Sequence, residues 1–137
     1  MIRLIIIPLL FLATTSFAQT EITWETLTDV RFSDKFNKRV QAYVYFPHFG
    51  PSVKALSGKE VYLEGYMMPM GPEEGFYILS RYPYASCFFC GQSGPDSIVQ
   101  LKMKPNPPEF RMDQIVTIKG KLKLNQNNID ECPYLMV

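Results

Sequence analysis

The stretch Gln114–Leu124 alternates without a break, and this settles the local structure of its part of the chain. Val116, Ile118, Gly120, Leu122 and Leu124 fall on one face, and Thr117, Lys119, Lys121 and Lys123 fall on the other. A sustained period of two is the signature of a strand with one face buried. The glycine in its middle is the stronger constraint. Lys59–Met68 repeats the arrangement, with Val61, Leu63, Gly65 and Met67 on one face. A glycine inside a strand marks a bulge or a sharp bend of the kind that a barrel corner needs. Flat sandwich packing has no particular use for either glycine.

Three more strands follow from the same reading: Phe76–Arg81, Ser97–Met103 and Tyr134–Val137. The turn signal Pro69–Gly75, a long connector Tyr82–Asp96, the proline-rich Lys104–Met112 and the polar loop Asn125–Pro133 separate them. One further strand, Arg39–Phe46, precedes the five, with Val40, Ala42, Val44 and Phe46 on one face. Trp24 and Leu27 are spaced for one side of a short helix, and Ser52 is placed to cap a helical turn ending near Gly58. The expected fold is all-β: a single small five-stranded OB-like barrel with a short N-terminal extension.

Met1–Ala18 stands apart. Arg3 precedes an apolar run Leu4–Ala13, and Ser16-Phe17-Ala18 offers small residues for cleavage after Ala18. That is the pattern of a secretory signal peptide, and the run is too short for the ~20 residues of a membrane span. The expected division is 1–18 as signal peptide, 19–57 as the extension and 58–137 as the barrel. The product is then periplasmic or secreted, soluble, and not membrane-spanning after cleavage. The full chain of 137 residues is 47% hydrophobic and 14% aromatic, which suits one globular domain. Lys+Arg 14 against Asp+Glu 13, with Arg3 lost on cleavage, leaves no basic surplus, so nucleic acid is not an expected partner.

Chemistry concentrates in three cysteines. Cys87 and Cys90 form a Cys-Phe-Phe-Cys pair ending at Gly91, and Cys132 lies before the last strand. In an OB-type barrel the third and fifth strands are parallel neighbours, so the segments leading into them share one rim. That brings Cys87, Cys90 and Cys132 together. His48, the single histidine, is expected in the loop before the first barrel strand and is the least secure member of the set. Three thiolates and an imidazole suit zinc, and thiolates suit copper(I). A structural disulfide between Cys87 and Cys90 stands level with the metal. Active thiol exchange comes third, because no helix N-terminus lowers a thiol pKa here.

The remaining candidates have plainer readings. Met67 belongs to a core face, while Met68 and Met70 are freer to meet copper. Lys119, Lys121 and Lys123 read as a solvent face that discourages edge pairing. No catalytic residue is expected: Gly91-Gln92-Ser93-Gly94-Pro95 falls short of a nucleophile elbow, and Asp96, Asp130 and Glu131 sit in polar loops.

The run Gly58-Lys59-Glu60-Val61-Tyr62-Leu63-Glu64-Gly65-Tyr66-Met67-Met68-Pro69, followed by Phe76–Leu79 and Cys87, resembles a family of exported bacterial domains of unknown function with an OB-like barrel. The resemblance also takes in Trp24 and Val116–Leu124. It implies the barrel and brings no activity. The common pattern of that family places a histidine where this chain has Phe89, and here Cys90 supplies a second thiol instead. The exchange tilts the pair toward a metal. The expected function is a small exported binding domain holding zinc or copper. The alternatives are a disulfide-stapled domain that meets a protein partner through its aromatic face, and a thiol-disulfide redox protein.

Overall fold

The computed structural model describes residues 19–137, and the expected leader 1–18 lies outside them. Strand β4 (Glu60–Gly71) is where the barrel turns, and the chain reaches it through β1 (Thr20–Glu21), α1 (Trp24–Leu27), β2 (Val30–Asn37), β3 (Ala42–Phe49) and α2 (Pro51–Lys54). After β4 come β5 (Phe76–Ser80), β6 (Ile98–Leu101), β7 (Gln114–Leu124) and β8 (Tyr134–Met136). Glu60–Met67 of β4 pairs antiparallel with β7, and Tyr66–Gly71 pairs antiparallel with β5. One strand thus serves two neighbours, which requires it to bend. β5 pairs antiparallel with β6, β6 parallel with β8, and β8 antiparallel with β7. The sheet closes as a five-stranded barrel in the order β4-β5-β6-β8-β7, with the third and fifth barrel strands parallel, as an OB-like barrel requires.

Gly65 lies beside the point where β4 changes partner. A Cβ there would stand 2.7 Å from the Ser80 carbonyl oxygen and 3.0 Å from both Leu79 Cγ and Trp24 Cζ2. Only a residue without a side chain lets strand and indole approach this closely. Trp24 in turn donates its indole N–H to the Glu64 carbonyl at 2.7 Å, which fastens α1 onto the wall.

The barrel interior collects Val61, Leu63, Met67, Tyr77, Leu79, Val99, Leu101, Leu122, Tyr134 and Met136, and α1 and α2 add Leu27 and Val53. Tyr134 donates its hydroxyl to the Leu27 carbonyl at 2.7 Å, so the one polar atom of that ring is satisfied inside the core. Successive strand residues point to opposite faces. Beside Met67, Leu79 and Val99 on the inside, the outside therefore carries Met68, Ile78 and Ile98. These three are fully buried as well, packed with Cys87 and partly covered by Met70, Phe76, Phe88 and Cys132. The central strands are thus apolar on both faces, and the connector 81–97 exists to cover the outer one. Met68, expected to be the freer methionine, is core for that reason.

The extension differs from expectation in three respects. It contains a hairpin, β2 with β3, in register from Val30↔Phe49 to Asn37↔Ala42, where one strand was expected. β2 places Val30, Phe32 and Phe36 on one face and Arg31, Ser33 and Lys35 on the other, an alternation broken at Asp34, and most of its positions remain exposed. His48 lies inside β3 opposite Arg31, not in a loop. Ser52 sits inside α2 and does not cap it from Gly50; its backbone N–H donates to the Asp29 carboxylate at 2.9 Å and its hydroxyl donates to the same oxygen. That hydroxyl lowers the pKa of half-buried Asp29.

Candidate functional site

Cys87 and Cys90 sit on a single 3₁₀ turn, Phe88–Cys90, with Cys87 as its first flanking residue. Cys87 is extended backbone leading into the turn, and its thiol lies within hydrogen-bonding reach of the Cys90 thiol. Two backbone bonds hold the turn: Cys90 N–H donates to Cys87 O at 3.2 Å and Gly91 N–H to Phe88 O at 2.9 Å. Gly91 ends it at φ 73°, a left-handed conformation that favours glycine. Cys87 is buried while Cys90 is exposed, its thiol donating to the Tyr84 carbonyl at 3.0 Å. Desolvation, and then the Cys87 thiol facing it, push the Cys90 pKa up.

Cys132 arrives from the other side, half-buried, at the base of the loop before β8. Its backbone N–H donates to the buried Gln100 side-chain oxygen at 3.0 Å, and its sulfur packs on the cluster that contains Cys87. Cys132 thus packs on the cluster that contains Cys87, and Cys90 is not part of that cluster. Burial, with Glu131 adding to it, raises the Cys132 thiol to about 11. His48 does not join them. Its ring bonds Ser33 at 2.8 Å and packs edge-on against Phe46, held there by the hairpin. Among the described residues no group of three or more His, Cys, Asp or Glu side chains is placed to hold a metal ion.

The cysteine rim borders a cleft of about 470 Å³. Its base is formed by Phe76 of β5 with Ile98 and Gln100 of β6, and one flank is the loop Asn125–Pro133 with Cys132. Phe88 and Phe89, the residues between the paired cysteines, form a second wall, and Val44, Tyr45 and Pro47 of the hairpin form the third. Tyr45 is 60% exposed and Phe89 41%. Gln126 donates its side-chain N–H to the Pro47 carbonyl at 2.9 Å, and Arg39 pairs with Asp130 at 2.7 Å, tying the hairpin to the loop. The hairpin wall, Phe76 and Gln100 carried no functional mark in the sequence. The alternation of β3 did show exposed tyrosines, and that was the available signal.

A second, open groove of about 620 Å³ runs between Lys102–Pro108 and Thr117–Lys121. Two of its lysines are engaged, Lys119 with Glu60 at 2.9 Å and Lys102 with Glu131 at 2.5 Å. The basic face of β7 thus includes paired charges, and β7 itself is flanked on both sides, not an edge. No helix among the described residues is long and apolar enough to cross a membrane.

No protein-family model and no curated protein matches the sequence. The fold is similar to that in the crystal structure of a DUF3299 family protein from Pseudomonas aeruginosa PAO1, with a TM-score of 0.53 and 21% identity over 87% of this chain and 91% of that one. The likeness is one of fold, and it connects this barrel with a bacterial domain of unknown function.

Proposed function

We propose that this protein is an exported binding module whose ligand seat is the cleft between β5, β6, the loop Asn125–Pro133 and the hairpin, and whose ligand is an extended, aromatic-bearing segment of a protein partner. The observation that carries this reading is the position of the cleft. OB-type barrels use the face of their second and third strands, together with the loop between the fourth and fifth, to receive extended ligands. β5, β6 and Asn125–Pro133 are those parts here. A volume of about 470 Å³ lies within the ~300–1,000 Å³ usual for a ligand pocket. Its walls offer Tyr45, Phe76, Phe88 and Phe89 for stacking, and Asn128, Asp130 and Glu131 line the same cleft with polar groups. Aromatic anchors with a polar rim are the usual make-up of a peptide-binding patch.

Selection of extended peptides from a displayed library, followed by titration of the winners into isotopically labelled protein, tests the reading. Peptides with aromatic residues at a fixed spacing should emerge, and amide shifts should map to Ile98–Gln100 and to residues 125–133. Tyr45→Ala should weaken binding about tenfold, the scale of an interface anchor at ~1.4 kcal/mol. Shifts confined to the lysine-lined groove, or no selection at all, overturn it.

A further inference from the structure

The paired cysteines enclose the two phenylalanines that wall the cleft, so a bond between the sulfurs would hold that wall. We propose that Cys87 and Cys90 are a disulfide-forming pair that fixes the turn carrying Phe88 and Phe89, while Cys132 stays a thiol. Three features of the site lead there. The Cys90 N–H bond to Cys87 O at 3.2 Å holds the two residues across one turn, and their thiols are within hydrogen-bonding reach of each other. One thiol is exposed and the other buried, which sets an order of reaction. Cys132 is drawn to different company, with its backbone bonded to Gln100 and with Glu131 and Lys102 as its charged neighbours.

The oxidant is an external disulfide, either a small-molecule one or one carried by an oxidised dithiol protein, both common outside the cytosol. The exposed Cys90 thiolate attacks one sulfur of that disulfide, breaking its S–S bond and expelling one thiolate, which takes up a proton. The Cys87 thiolate then attacks Cys90 Sγ in the mixed disulfide and expels the second thiolate. The second thiolate likewise takes up a proton; the protein loses two protons and two electrons, and the oxidant leaves as two thiols. The raised pKa of Cys90 keeps the thiolate scarce near neutral pH, so the exchange is slow there and speeds up as the pH rises. That rate profile suits a bond made once, at export, better than a catalytic couple.

The consequence for binding rests on the cleft being the ligand seat; the disulfide itself does not. Oxidation closes a ring around Phe88-Phe89, leaving those two rings fewer arrangements in the free state, and a preordered wall costs less to bind against.

The test incubates the full chain in glutathione buffers of graded poise and reads intact mass, alkylated residues and peptide affinity. The expected product is two hydrogens lighter, with Cys132 the single alkylated cysteine and Cys87 linked to Cys90 in the peptide map. Cys90→Ser should stay unbridged under the same buffers while keeping its fold. Aromatic peptides selected on the protein should bind the oxidised form about tenfold more tightly than the reduced form. A bridge that includes Cys132, three free thiols at every poise, or a metal ion retained in the native mass of the wild-type chain overturns the disulfide. Equal affinity in the two redox states overturns the control of the cleft and leaves the staple standing.

Discussion

Tyr134 shows how one hydroxyl can set a pH limit on this fold. It is buried in the barrel, donates to Leu27 O at 2.7 Å, and is held protonated by burial and then by the charges of Asp96 and Asp29. Cys132 is also held protonated, its thiol raised to about 11. In the unfolded chain these groups ionise near their ordinary values of ~10 and ~8.5. Above those values the unfolded chain releases protons that the native chain keeps, so the stability they contribute is complete below ~8.5 and falls as pH rises. Urea midpoints should therefore hold level from about pH 6 to 8 and decline beyond about pH 9. Tyr134→Phe should lower stability by ~1–2 kcal/mol at neutral pH, through the Leu27 carbonyl left without its donor, and should flatten the alkaline decline. A decline of undiminished steepness in that variant would place its cause elsewhere.

Elements built from these residues were legible in the sequence where burial is one-sided. β7 alternates because one of its faces meets the core, and its observed bounds match those expected. β4 was also visible, and the structure gives its central glycine a reason in the approach of Trp24 and Ser80. Gly65→Ala should therefore cost ~2–3 kcal/mol in urea unfolding, since the obstacle includes a backbone oxygen that cannot rotate away. The hairpin was half legible. β2 is largely solvated and its alternation breaks at Asp34, while the expected strand stopped at Phe46, before Pro47. In a ribbon of two strands every strand is an edge, where a proline's missing N–H goes unneeded, and Pro47 simply pairs opposite Phe32. That misplaced boundary moved His48 from strand to loop and into the expected ligand set. The meeting of Cys132 with the Cys87 cluster was legible, because strand topology alone dictates it. The third wall of the cleft was not, because nothing local says that a hairpin will fold back over a barrel. The Arg39–Asp130 pair that helps to hold it is exposed on both sides, and Arg39→Ala should change stability by less than ~0.5 kcal/mol. The same variant should weaken peptide binding, measured by titration, if hairpin position matters to the cleft.

At the scale of the molecule, the barrel shuts only when β8 enters between β6 and β7 and when the two ends of β4 have found different partners. Such non-local pairing makes folding slow, in the millisecond-to-second range typical of small β-barrels. The chain contains a single tryptophan, and that residue is clamped against β4 with its indole N–H on Glu64 O. It does not line the cleft. Its emission should be blue when the wall is formed and red when it is lost, and should ignore peptides that shift the amides around Cys132. The molecule therefore contains its own optical gauge of barrel integrity, wired to the wall and blind to the ligand seat. Any variant made at the cleft can be judged by colour first, as folded or not, before its binding is measured.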